Sequence, residues 1–269
     1  MSDVTPQGTD PIRSARAIEN RRKLMLEQII RSGSAQVEDL ASRFGVSRMT
    51  VHRDLDALVE RGTVRKQHGG VTLHETGSVE SSFSYRIHLA ERQKAAIARA
   101  AAALIQPGQS VILDESTTTL CMVPHLSSKT PLTVITNGIA MVDALKEAHG
   151  IRLVGLGGTY NTRLNAFFGL ICETTVASLR AGLLFMSTSS IIDGFVHHQD
   201  EEVLKTKRAF MASAARSVLI ADSSKFGATA LNRMAGLDAF HAVITDSGLA
   251  EPVRQQMREA GAALTIVDC

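Results

Sequence analysis

The chain of 269 residues is 44% hydrophobic and 21% charged, a balance that excludes an intrinsically disordered protein and leaves material for two unequal domains. No apolar stretch approaches the length that spans a bilayer, and residues 1–10 hold two Asp with no Lys or Arg, unlike the basic start of a secretory leader, so a cytoplasmic protein is expected. The net charge of +2 is unevenly spread: residues 13–73 carry twelve Lys and Arg against seven Asp and Glu, a surplus of +5 that leaves −3 elsewhere, so only the N-terminal part is drawn to a polyanion. Cys121, Cys172 and Cys269 are odd in number and far apart, which fits neither a disulfide framework nor a zinc site, and no metal or cofactor is expected.

Residues 1–18 read as a loose tail. Over 19–32, Met25, Leu26, Ile29 and Ile30 recur at helical spacing before Gly33. Val37, Leu40, Ala41 and Phe44 predict a second, short helix closed by Gly45. Ser47 is suited to cap a third, whose Val51, Leu55, Leu58 and Val59 make one apolar stripe ending at Gly62. Steps of about 100° from Val51 put Met49, Thr50, His52 and Arg53 on the outward side of the first turns. Two helices joined by a short turn present such a face to the DNA major groove, where Arg chelates guanine and Thr meets a thymine methyl, while the helix start at Ser47 faces phosphate. Arg48 lies nearer the stripe, which suits it to phosphate. Residues 63–73 set β-branched residues around Arg65, Lys66 and His68, with Gly69 and Gly70 at a turn, and read as a basic β-wing against the DNA backbone. A helical scaffold with solvated charges fits the bare spacing nearly as well.

The tract VSRMTVHRDLDAL at 46–58, followed by KQHGG at 66–70, closely resembles the signature of DeoR-type regulators, V-S-x-x-T-[I/V]-R-R-D-L and then R-x-H-G-G. His52 stands where that signature has the first of two arginines, Arg53 keeps the second, and Lys66 replaces the wing arginine. The resemblance implies a winged helix-turn-helix over 19–74 that reads double-stranded operator DNA, with Ser47, Arg48, Met49, Thr50, His52, Arg53, Lys66 and His68 as the contacts.

Ser, Gly, Thr and Glu predominate after position 74, so 75–87 reads as a linker and 88–269 as a second domain. Residues 88–105 predict an Ala-rich helix. Strand-sized apolar runs at 111–113, 133–135, 151–155, 183–186, 218–221, 243–245 and 264–267 then alternate with helical patterns, which predicts an α/β domain with a mostly parallel sheet. Ligand crevices of such sheets lie outside the carboxyl ends of the strands. There the sequence places Asp114 with Ser116, Thr117, Thr118 and Thr119, then Thr136 and Asn137, Gly157 and Gly158, Asp193 with Gly194, and Asp222 to Lys225. Hydroxyls and backbone N–H groups at a helix start suit a phosphate, Asp114 suits sugar hydroxyls, and Lys225 would neutralise the anion. Each ending by itself is as readily a cap or turn.

LDESTTT, VITNG, GLGGTYN, the IDG at Asp193 and ADSSKFG also resemble successive blocks of the DeoR effector domain. That resemblance implies a fold like that of sugar-phosphate isomerases, and a phosphorylated sugar or polyol effector held by Asp114, Ser116, Thr117, Thr118, Thr119, Thr136, Asn137, Gly157, Gly158, Asp193 and Lys225. Glu115 departs from the small residue usual after the Asp and must point away from a phosphate, meet a sugar hydroxyl or mark a changed ligand. Gly155, Gly157 and Gly158 do not complete a dinucleotide loop, because Tyr160 takes the place of the third glycine. The expectation is an allosteric repressor of a carbohydrate or polyol operon, paired as a homodimer or homotetramer on a symmetric operator. The rival is a sugar-phosphate isomerase or transferase using Asp193 or Asp222 as base.

Overall fold

The computed structural model describes residues 11–60, 64–73 and 82–269, and the chain divides into two compact units, Met1–Leu89 and Ala90–Cys269. The first ten residues of the expected tail, the Gly62 stop, the Ile30 side chain and residues 75–81 of the expected linker lie outside the described residues.

In the first unit, α1 (Pro11–Ser32) begins ahead of the Glu19 start read from periodicity. It is followed by β1 (Ser34–Gln36), α2 (Val37–Phe44), α3 (Arg48–Glu60), the hairpin β2 (Val64–Gln67) and β3 (Gly70–Leu73), and the single turn α4 (Phe83–Arg86). Met25, Ile29, Leu40, Val51, Leu55, Leu58, Val64 and Val71 bury together as one core, so the three expected apolar stripes meet. Gly45 ends α2 at φ +62°, and its N–H donates to the Ala41 carbonyl. The wing gains a strand that periodicity did not show: β1 pairs antiparallel with β3, giving the order β1-β3-β2. That pairing explains the double glycine. Gly69 takes φ +75° in the two-residue turn, and a Cβ on Gly70 would run into the Ala35 carbonyl oxygen.

The second unit opens with α5 (Glu91–Ala103) and continues through β4 (Ser110–Leu113), α6 (Thr117–Leu120), α7 (Val123–Leu126), β5 (Leu132–Thr136), α8 (Ile139–Leu145) and β6 (Ile151–Gly155). A small hairpin, β7 (Thr159–Asn161) and β8 (Ala166–Phe168), leads to α9 (Leu170–Ala177) and β9 (Ala181–Met186). Then come β10 (Ser190–Ile192), β11 (Phe195–His198), α10 (Glu201–Ser213), β12 (Ala214–Ile220), β13 (Asn232–Gly236), β14 (Ala242–Asp246), α11 (Glu251–Glu259) and β15 (Leu264–Val267). All seven expected strands form one sheet, ordered β15-β14-β12-β9-β4-β5-β6, and every neighbouring pair is parallel. Alternation decides which helix each residue meets. Val111, Leu113, Leu183, Phe185, Val218 and Ile220 pack with Ile97, Ala101 and Ile105 of the α5 segment, whereas Ile112, Leu184, Met186 and Leu219 pack with Val176, Leu204 and Phe210.

The chain runs β4, β5, β6 toward one edge, then returns to lay β9 on the other side of β4. The strand order reverses between β4 and β9, and at such a switch point the carboxyl ends of two strands open a crevice.

Candidate functional site

Two surfaces carry the expected residues. On the first unit, Thr50 N–H donates to the Ser47 side chain at 3.2 Å, the N-cap read from the sequence. Arg48, Met49, His52 and Arg53 are exposed and Thr50 half-buried, so the outward face of α3 is the one periodicity placed there. Met49 is 64% exposed, an apolar side chain among cations and hydroxyls. Arg48 reaches Glu38 of α2 at 3.3 Å, and Lys66 on the wing reaches Asp56 of α3 at 2.7 Å; both pairs are solvent-facing and weak. His68 sits exposed at the wing turn. Asp54, one residue beyond Arg53, has a different part: it is buried and accepts from Arg21 Nε at 2.7 Å and Arg22 Nε at 2.9 Å, locking α3 to α1.

On the second unit the switch point is built around Asp114, which comes directly after β4 and is wholly buried. Its Oδ1 accepts from Ser116 N–H at 3.1 Å and lies 3.0 Å from Thr119 Oγ1; its Oδ2 accepts from Ser187 N–H at 2.9 Å and from Lys207 Nζ. Ser116 also caps α6, accepting from Thr119 N–H at 3.2 Å. Lys207, on α10 and 2% exposed, is shared with Glu115 Oε1 at 3.1 Å. Burial alone would raise the Asp114 carboxyl, but Lys207, with the Ser116 side chain and the Ser187 N–H, outweighs it and holds the group below its ordinary value. Burial likewise pulls Lys207 down, and Asp114 and Glu115 together carry it above the usual lysine value. Glu115 therefore lies against a cation.

A second buried lysine, Lys94 of α5, donates to Thr117 Oγ1 at 3.4 Å beside the hydroxyl-rich loop. At the neighbouring end of β5, Thr136 Oγ1 accepts from Gly138 N–H at 3.1 Å, and Asn137 Nδ2 donates to the Phe167 carbonyl at 2.9 Å. Gly158 takes φ +145° with the Phe168 carbonyl where a Cβ would stand, whereas Gly157 has open space around it. Burial, then the Glu115 and Glu173 carboxylates, push the Cys172 thiol up to about 12.

The structure thus joins Asp114, Ser116 and Thr119 directly, and sets Thr117 and Thr118 on the same loop with Thr136 and Asn137 on the adjacent strand end. Asp193 is placed elsewhere. The carboxyl end of β9 leads instead into Ser187 and Thr188. Asp193 and Gly194, at φ +51° and +76°, form the exposed turn of the β10–β11 hairpin, facing Gln256 and Ala260 of the α11 region across a cleft of about 310 Å³. Lys225 is half-buried in a short helical turn after β12, where Asp222 accepts from Ser224 N–H at 3.1 Å. No hydrogen bond or ion pair among the described residues links Asp193 or Lys225 to the Asp114 group. Lys94 and Lys207 were missed, although both left a signal: each lies on the apolar stripe of its helix, where a lysine stays only with buried partners. Asp200 N–H donates to His198 Nδ1 at 3.1 Å, and the Asp200 side chain caps α10, accepting from Glu202 N–H at 3.0 Å.

Two family models match this chain in succession, the DeoR-like helix-turn-helix domain over residues 21–76 and the DeoR C terminal sensor domain over residues 89–247. The chain belongs to the DeoR family. Its relatives include the uncharacterized HTH-type transcriptional regulator YgbI of Escherichia coli (strain K12), 32% identical over 91% of this chain and 96% of that one. The L-fucose operon activator of Haemophilus influenzae is 29% identical over 87% and 94%, and the transcriptional repressor AccR of Agrobacterium fabrum 29% identical over 82% and 87%. Among solved structures, ribose 5-phosphate isomerase A of Methanocaldococcus jannaschii overlaps 51% of this chain and 54% of its own at 15% identity, with a TM-score of 0.38. Membership makes this DeoR-family chain a transcriptional regulator rather than an isomerase or transferase. None of the helices described is long and apolar enough to cross a membrane, and no group of His, Cys, Asp and Glu among the described residues could hold a metal ion.

Proposed function

We propose that this DeoR-family regulator is a cytoplasmic repressor of a carbohydrate or polyol operon, relieved by a phosphorylated sugar or polyol. Residues 19–74 read the operator and 88–269 bind the effector. Met49, Thr50, His52 and Arg53 contact bases from α3, while Ser47, Arg48, Lys66 and His68 hold phosphates. The effector lies at the β4–β9 switch point. Its phosphate meets the hydroxyls of Ser116 to Thr119 with Lys94 beside them, its hydroxyls meet the ends of β4 and β5, and Gly157, Gly158 and Lys225 close the rim, while Asp193, on its separate hairpin, stays outside it. The single observation that carries this reading is Asp114: a fully buried carboxylate at the switch point, tied to both strand ends and to a lysine, is a preformed polar floor for a polyhydroxylated ligand. Relatives carry both signs, an activator of the L-fucose operon and a repressor; repression is the sign we propose for this chain. A homodimer or homotetramer supplies the paired readers that a symmetric operator needs.

The test pairs two measurements on the full chain. Phosphorylated sugars and polyols, with their unphosphorylated parents, are screened for a rise in melting temperature; then a duplex selected by the chain from random DNA is titrated with and without each hit. A phosphorylated hit that releases DNA is expected, and Lys94→Met should remove most of the preference for the phosphorylated form. Release by no compound, or tighter DNA binding with the hit, overturns the reading.

A further inference from the structure

Lys207 is shared between two carboxylates, so the buried trio of Asp114, Glu115 and Lys207 has one negative charge to spare when all three are ionised. Asp114 is the more heavily engaged of the two carboxylates, since its oxygens already accept from Ser116, Ser187 and Lys207. Glu115 has capacity left: Oε1 meets Lys207, but Oε2, on a residue only 5% exposed, finds no hydrogen-bond partner among the described residues. A second orphan stands on the next strand end. Asn137 donates its amide nitrogen to the Phe167 carbonyl, which decides the orientation of the amide and leaves Oδ1 buried without a donor. The two ends are adjacent, because a Cβ on Gly138 would stand 3.1 Å from Glu115 Cα. Both orphans are acceptors, and a buried acceptor left empty is costly.

We propose that Glu115 and Asn137 form a donor-reading subsite, in which the ligand presents vicinal hydroxyls or a protonated amine and from which a bare CH₂ or a carboxylate is turned away. The proposal rests on the reading of residues 88–269 as a ligand-binding domain. Glu115 is then the residue that chooses among ligands of that class. Its second oxygen, beside an already neutralised lysine, adds an acceptor and a surplus negative charge, so an ammonium gains attraction that a hydroxyl does not.

The experiment uses the full chain and matched compounds that differ at one carbon. The phosphorylated set is glucosamine 6-phosphate, glucose 6-phosphate, their galacto epimers and the mono-deoxy derivative at each hydroxyl-bearing ring carbon; the unphosphorylated set is glucosamine, glucose, galactitol and myo-inositol. Calorimetry should show that one deoxy position weakens binding about tenfold or more, and that Glu115→Gln, which keeps the shape, removes the ranking at that same position. Whether the amine or the hydroxyl compound leads identifies the donor. Glu115→Gln that lowers melting temperature but leaves the ranking intact overturns the proposal and makes Glu115 only a partner of Lys207. Equal binding across every deoxy set also overturns it. Binding confined to the unphosphorylated set sinks the phosphate reading and leaves this subsite standing, while no binding to any compound sinks both.

Discussion

Asp114 Oδ2 accepts the Ser187 N–H at 2.9 Å, a single hydrogen bond that ties the carboxyl end of β4 to that of β9 across the point where strand order reverses. The same oxygen accepts from Lys207, so one buried carboxylate holds both walls of the crevice and the α10 helix behind it. Lys207→Met should therefore cost about 3–5 kcal/mol, since it leaves Asp114 buried without its counter-charge. Urea unfolding of variant and parent at neutral pH checks this. A loss below about 1 kcal/mol would mean that the buried charge is relieved without Lys207, and that Asp114 does not hold the crevice.

The pH dependence of stability should be two-sided. Asp114 lies below its ordinary value in the folded chain, so its contribution is present above the unfolded carboxylate value of about 3.9 and is lost as pH falls through the depressed folded value. The Cys172 thiol is raised to about 12, so the folded chain keeps its proton where the unfolded chain, at about 8.5, releases it. Stability falls as pH rises across that window. Cys172→Ala should flatten this alkaline slope while leaving the acid limb in place, as melting temperatures from pH 3 to 11 (about eight steps) would show. An unchanged slope would place the titrating group elsewhere.

Reading and holding should separate on the first unit. Arg53→Ala is expected to lose about 1–3 kcal/mol of discrimination between selected and scrambled duplexes, whereas Lys66→Ala should weaken both alike and lessen the salt dependence. Lys66 also gives up its exposed pair with Asp56, which has little effect on folding. Equal specificity ratios for the two variants would end the division between helix and wing.

The wing glycines make a backbone prediction. Gly70→Ala forces β3 away from the Ala35 carbonyl and should destabilise the first unit by about 1–3 kcal/mol, with loss of DNA binding at high salt first. Gly45→Ala, with open space around it but φ +62°, meets only the left-handed penalty of about 1–2 kcal/mol. Chemical denaturation of both, monitored at the first unit, distinguishes crowding from dihedral strain; a larger loss at Gly45 would contradict the β1–β3 pairing.

Local pattern alone determined a good deal of this protein. The stripes at Met25, Leu40 and Val51 define three helices because a buried face must repeat every three or four residues, and seven short apolar runs define seven strands because a parallel sheet covered on both faces leaves little room for polar residues. Signature residues identified the family, and periodicity placed Met49, His52 and Arg53 on the exposed face of α3, since such spacing reports a surface that is local to one helix. The strand β1 was hidden because three residues hold no period, and its partner β3 lies well along the chain. Tertiary structure alone decided which strand ends meet. Asp193 reads as a strand ending but turns a separate hairpin, while Lys207, distant in sequence from Asp114, becomes its partner through the packing of α10 on the sheet. A charge buried against a stripe carries no local mark of its counter-charge, because the Coulomb partner is chosen by the order of strands and not by the order of residues.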